Sequence, residues 1–170
     1  MNIRLVEKDI NEIQLIKPLW EKLNLIHFNK SVYFKSKYEK FKFEKRMESI
    51  NRRSENGTVK LDVILDNDTM EYVGYCLSSI EDNIGEIESI FIEKQYRGYK
   101  LGDKLMINAL NWFESNSITN VQINVVYANY EAIPFYERYG FYVGNYILKR
   151  VWYLRHNFKI IRSNHTPENI

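Results

Sequence analysis

The chain has 170 residues, 45% hydrophobic, 27% charged and 15% aromatic, with a formal net charge of +2. That length and composition suit one folded domain with its own core, and the near balance of charge argues against nucleic acid or a membrane surface as partner. No apolar run approaches the roughly 18–20 residues that cross a bilayer. A single cysteine, Cys76, excludes an internal disulfide and suits a reducing cytoplasm. The opening Met-Asn-Ile-Arg-Leu-Val-Glu has neither an apolar stretch nor a small-residue cleavage site, so no signal peptide is expected.

Alternation from Ile3 to Val6 predicts a first strand. Asp9 then caps a helix carrying Ile13, Ile16, Trp20 and Leu23, with a kink or restart at Pro18. A second helix is expected from Phe34, Tyr38 and Phe41 through Phe43, Met47 and Ile50, ending at Asn56-Gly57. Three strands follow, 59–65, 72–80 and 84–92, joined by the turns Asp66-Asn67-Asp68 and Glu81-Asp82-Asn83. Turns that short make an antiparallel meander. Leu101, Leu105, Met106, Ala109, Leu110 and Phe113 have helical spacing. Residues 121–126 read as a fifth strand, 130–139 as a short helix ended by Gly140, and 141–146 with 147–154 as a last strand pair.

The order β-α-α-β-β-β-α-β-α-β(β) predicts a single α/β domain over 1–155. Its central sheet is mixed but largely antiparallel, with helices on both faces, and 156–170 form a polar tail. The apolar C-terminal strand offers a surface for pairing two copies as a homodimer.

Chemistry concentrates where the strand 84–92 breaks into a basic, glycine-bearing turn and then a helix. Such an order sets unpaired N–H groups and the helix dipole where a phosphate can bind. There is no Gly-Lys-Ser/Thr and no G-x-G-x-x-G. Arg97-Gly98-Tyr99-Lys100-Leu101-Gly102, together with Asn129-x-x-Ala132-Ile133-Pro134-Phe135-Tyr136-x-x-x-Gly140-Phe141, resembles the GNAT superfamily of acetyl-CoA-dependent N-acetyltransferases. The first segment departs from the pattern at Lys100, where a glycine is usual and where Lys tolerates positive φ poorly. A shifted register starting at Gln95 puts Lys100 at the last small position instead.

The resemblance implies a direct transfer of acetyl from acetyl-CoA to a primary amine of a small molecule or peptide. It assigns coenzyme binding to Phe91, Ile92, Arg97, Gly98, Tyr99, Lys100, Leu101, Gly102 and Asn129. Tyr136 is implied as the group serving the departing thiolate, and Glu88 as the strand carboxylate that assists deprotonation of the amine; no metal is implied. A non-catalytic acyl-CoA sensor is the alternative on the same fold. Read from the residues alone, Glu86, Glu88 and water all stay open as base. Glu86 and Glu88 lie two apart, so strand alternation puts them on one face with Ile90 and Ile92, and Ile87, Ser89 and Phe91 on the other. Cys76 reads as core. His27 reads as a surface residue, with a place near the substrate as its alternative, and the interleaved charges of 35–48 as a solvated helix face, with a basic rim attracting an acidic substrate or CoA as theirs.

Overall fold

The computed structural model describes residues 2–150. Five strands, β1 (Ile3–Lys8), β2 (Thr58–Asp66), β3 (Glu71–Glu81), β4 (Ile84–Ile92) and β5 (Val121–Ile123), form one sheet in the order β1-β2-β3-β4-β5. The first four pair antiparallel and β4 pairs parallel with β5, so the predicted mixed, largely antiparallel sheet is present.

Helices α1 (Lys17–Lys30), α2 (Lys35–Lys40) and α3 (Phe43–Asn56) precede β2; α4 (Leu101–Ser115) crosses from β4 to β5; α5 (Ile133–Glu137) follows β5. On one face of the sheet, Ile16, Leu19, Trp20, Phe43 and Ile50 pack on Leu61, Val63, Tyr75 and Phe91. On the other, Leu101, Leu105, Met106, Ala109 and Phe113 pack on Ile64, Cys76 and Ile87, with Phe135 and Tyr136 of α5 at the margin. Each α-helical stripe thus has a sheet face to bury against. Cys76 is fully buried, and burial pushes its thiol up to about 12, which leaves it an inert core residue.

Asp9 caps as expected, with Glu12 closing a capping box, but the turn it opens is a 3-10 helix over Ile10–Ile16. The α-helix restarts with Pro18 in its first turn. The continuous helix expected over 34–50 is broken between α2 and α3. Asn24 of α1 donates its side-chain amide to the carbonyls of Tyr38 (2.9 Å) and Phe41 (3.4 Å), holding acceptors that a continuing helix would use. Phe41 meanwhile packs edge-on to Trp20, with ring centres 5.6 Å apart.

β5 is shorter than expected, ending at Ile123, and the side-chain amide of the next residue, Asn124, donates to Glu86 (2.7 Å). The last strand pair is not formed in the described part: residues 141–150 carry no strand, and Tyr142, Tyr146 and Leu148 stand in solvent. Alternating apolarity makes a strand only where an edge is there to pair with it. Residues 151–154, the domain limit at 155 and the tail 156–170 lie outside the described residues. Among the described residues no helix is long and apolar enough to cross a membrane.

Candidate active site

The register of β4 shifts at the site. Leu77 faces Ser89 and Ser78 faces Ile87, so Glu88 is the extra residue of a bulge. The bulge corrects the expected alternation: Glu86, Glu88, Ser89 and Phe91 serve the α1–α3 face, while Ile87, Ile90 and Ile92 serve the α4 face. Glu86 and Glu88 do share a face, with Ser89 rather than Ile90 beside them.

On that face lies a cleft of about 260 Å³ under α1, α2 and α3. Trp20, Tyr38 and Phe41 give it an aromatic wall; His27 and Lys37 stand near its mouth; Glu86, Glu88 and Ser89 line the β4 side. Both carboxylates are engaged. Glu88, only 2% exposed at its side chain, accepts from Arg46 (2.7 Å), from Arg53 (2.7 Å) and from the hydroxyl of Ser79 (2.6 Å). Glu86 accepts from Arg53 (3.1 Å), Gln122 (3.2 Å) and Asn124 (2.7 Å). The two arginines come from α3, the helix whose charges read as solvated in the sequence. Nothing in their i,i+4 spacing marks them as site residues. The Ser89 hydroxyl lines the cleft and the buried Tyr75 hydroxyl lies close to it; neither has another hydrogen-bond partner among the described residues.

His27 is a cleft residue, not a surface one. Burial, with help from Lys37 and Lys30, lowers its pKa to about 4, so the imidazole is neutral at pH 7.

β5 accompanies β4 only from Gly85 to Ile87, and from Glu88 to Ile92 that edge of β4 has no strand partner among the described residues. A turn held from three sides follows. Lys22 pairs with Glu93, the Tyr96 hydroxyl donates to Asp66 (2.7 Å), and Arg97 Nε donates to the Ile92 carbonyl (3.0 Å) while its guanidinium lies 5.8 Å from the Phe91 ring centre. Gly98 takes φ +86° and Lys100 takes φ +59°, ψ 20°, so the lysine adopts the left-handed conformation that the motif's usual glycine would take freely. The start of α4 has no side-chain cap, and the N–H groups of residues 98–103 meet no acceptor among the described residues. Gly102 keeps this start close to α5: a Cβ there would sit 3.3 Å from the Phe135 ring. Asp103 ties the same two helices, accepting from Arg138 (2.9 Å) and the Tyr139 hydroxyl.

Tyr136 belongs to the α4 face and does not line the cleft. Desolvation raises its pKa to about 12, so its hydroxyl keeps its proton. Asn129 is also outside the cleft; its side-chain oxygen accepts from Lys30 at 2.9 Å, and Lys30 pairs with Glu131 at 2.7 Å, joining the end of α1 to the loop after β5. The sequence offers no signal for that lysine.

An open strand edge leading to an uncapped helix start, beside a carboxylate-lined cleft, suits an extended ligand that carries a phosphate. Residues 20–141 match the model of the Acetyltransferase (GNAT) family, and the chain belongs to that family. It is an acyltransferase enzyme of the kind that uses acetyl-CoA.

The fold is shared with a putative acetyl transferase from Pyrococcus furiosus, at 23% identity and TM-score 0.68, over 88% of this chain and 99% of that one. The PaiA N-acetyltransferase of Thermoplasma acidophilum, solved in complex with coenzyme A, is 18% identical with TM-score 0.66, over 86% and 94% of the two chains. Glucosamine-6-phosphate N-acetyltransferase from Arabidopsis thaliana is 15% identical with TM-score 0.57, over 89% and 99%. A search of curated proteins finds no match.

Proposed function

We propose that the enzyme moves an acetyl group from acetyl-CoA directly to a primary amine, on a small molecule or a peptide, within a ternary complex in the cytoplasm. The reading is carried by the unsatisfied start of α4 at the end of the unpaired β4 edge. Its free N–H groups, with the charges of Arg97 and Lys100, fit a diphosphate. Gly98, Tyr99, Lys100, Leu101 and Gly102 hold that diphosphate, the main chain of Phe91 and Ile92 receives the amides of the coenzyme's arm, and Asn129 fixes the exit from β5. Acetyl-CoA supplies the acetyl group as a thioester, activated toward nitrogen.

Tyr136 and the cleft lie on opposite faces of the sheet, and in this reading the thioester sits beside the part of β4 that runs on past its pairing with β5. The Tyr136 hydroxyl serves the departing sulfur. With its pKa raised to about 12 against about 8.5 for a thiol, full proton transfer is uphill by about 3.5 pK units, roughly 5 kcal/mol. Tyr136 therefore works chiefly by donating a hydrogen bond to developing charge. Glu88 takes up the amine's proton. Its 2% exposure and three donors favour a relay through Ser89 or water over direct contact. Pairing of two copies, also proposed, falls on the exposed run 142–148, and sedimentation of the full chain decides it.

Calorimetric titration with acetyl-CoA should give heat and saturate, and free thiol should appear once an amine is added. A titration with neither heat nor thermal shift overturns the coenzyme assignment. Binding without thiol release across a broad amine panel makes the protein an acyl-CoA sensor instead.

A further inference from the structure

The charged groups lining the cleft are Lys37, Arg46, Arg53, Glu86 and Glu88, with His27 neutral. Both arginines are committed to the two carboxylates at 2.7–3.1 Å, and Arg53 also reaches Glu81, which does not line the cleft, at 3.4 Å. The lining cation left without a carboxylate, and so its surplus charge, is Lys37 on α2. Among the described residues it forms no ion pair with a carboxylate; its ammonium lies 5.2 Å from the centre of the Tyr38 ring. Partial desolvation, and secondly the charge of Lys149, lowers its pKa below the usual lysine value. A positively charged acceptor meets repulsion at this mouth unless the same molecule brings a negative group.

We propose that the acceptor is an amine that also bears an anionic group, a carboxylate or a phosphate, which Lys37 receives at the mouth while the amine points inward to Glu88 and Ser89. The inference rests on the acetyl-transfer reading above. Trp20, Tyr38 and Phe41 leave an apolar wall for the body of the molecule between its two charges. Polyamines are disfavoured by the same surplus.

Thiol release is measured with two matched pairs, phenylalanine against phenethylamine and O-phosphoethanolamine against ethanolamine, and with spermidine. The anionic member of at least one pair should have a five- to tenfold higher kcat/KM, and the pair that separates tells carboxylate from phosphate. K37Q should raise the KM of that member by a similar factor and close the gap, while K37R restores it. K35Q, on the same helix but outside the cleft, should keep the wild-type preference. Equal rates within both pairs, preference for spermidine, or a preference that survives K37Q overturns the proposal. Acetyl-CoA binding without turnover of any of the five also overturns it and leaves the coenzyme reading standing. Absence of acetyl-CoA binding sinks the acetyl-transfer reading itself.

Discussion

Tyr136 and Glu88 differ in what surrounds them, and their tests differ accordingly. Tyr136 is desolvated and protonated to about pH 12, so Tyr136→Phe removes one hydrogen bond to developing charge and little else. Turnover should fall about 100-fold, with acetyl-CoA affinity by calorimetry changed less than twofold; equal loss of both would remove the assigned role. Its raised pKa also fixes a sign. kcat/KM should climb from pH 7 to 10 as an amine of pKa about 10.4 loses its proton, with no falling limb from the tyrosine. Glu88→Gln should lower kcat/KM about 10- to 100-fold at pH 7, the deficit shrinking toward pH 10, where the amine deprotonates unaided. A deficit that stays constant with pH would make Glu88 a positioning residue for Arg46 and Arg53. The same variant breaks a buried ion-pair network and should cost about 3 kcal/mol of stability by denaturant melt. Tyr136 and Glu88 are proposed from motif resemblance and strand spacing, and the sequence makes His27 a candidate for a place near the acceptor. Arg46, Arg53 and Ser79 give no such signal, because each reaches the cleft carboxylates across the fold from an unremarkable helix or strand position.

Among the elements, the turn into α4 is the best recorded in sequence, and it holds a lysine at positive φ. Lys100 keeps the motif's backbone shape at a cost of roughly 1 kcal/mol for a left-handed lysine. Lys100→Gly should therefore raise Tm by about 2–4 °C while weakening acetyl-CoA severalfold, since a cation beside the phosphates is lost. Opposite signs in a thermal melt and a calorimetric titration would separate geometry from charge; a fall in Tm contradicts the strain argument. β4 gives the opposite lesson. Its ends, 84–92, were legible from alternation and turns, yet its bulge was not, because one extra residue leaves composition and length unchanged while moving Ser89 and Phe91 to the other face. The break between α2 and α3 was hidden for a similar reason: Asn24, far upstream, takes the carbonyls.

At the scale of the molecule, the sheet carries the Glu86–Glu88 cleft on one face and Tyr136 with α4 on the other, and His27 reports on the integrity of the first. Its folded pKa of about 4 lies below the unfolded value of 6.5, so in that window the unfolded chain binds a proton that the folded one does not. Stability should fall as pH drops from about 6.5 to about 4, by on the order of 2 kcal/mol, and His27→Gln should remove that part of the slope. Identical pH profiles for the two proteins in urea melts would show that the cleft does not shield the imidazole. The sequence by itself determined the order of the five strands, the two apolar helix stripes and the glycine-bearing turn into α4, because periodicity, capping and glycine placement act over a few residues of chain. Tertiary structure alone decided how the carboxylates are paired, which charge is left over and where β4 parts from β5. Those depend on side chains from distant segments meeting in one low-dielectric space, where a single bulge or a borrowed carbonyl changes the neighbours.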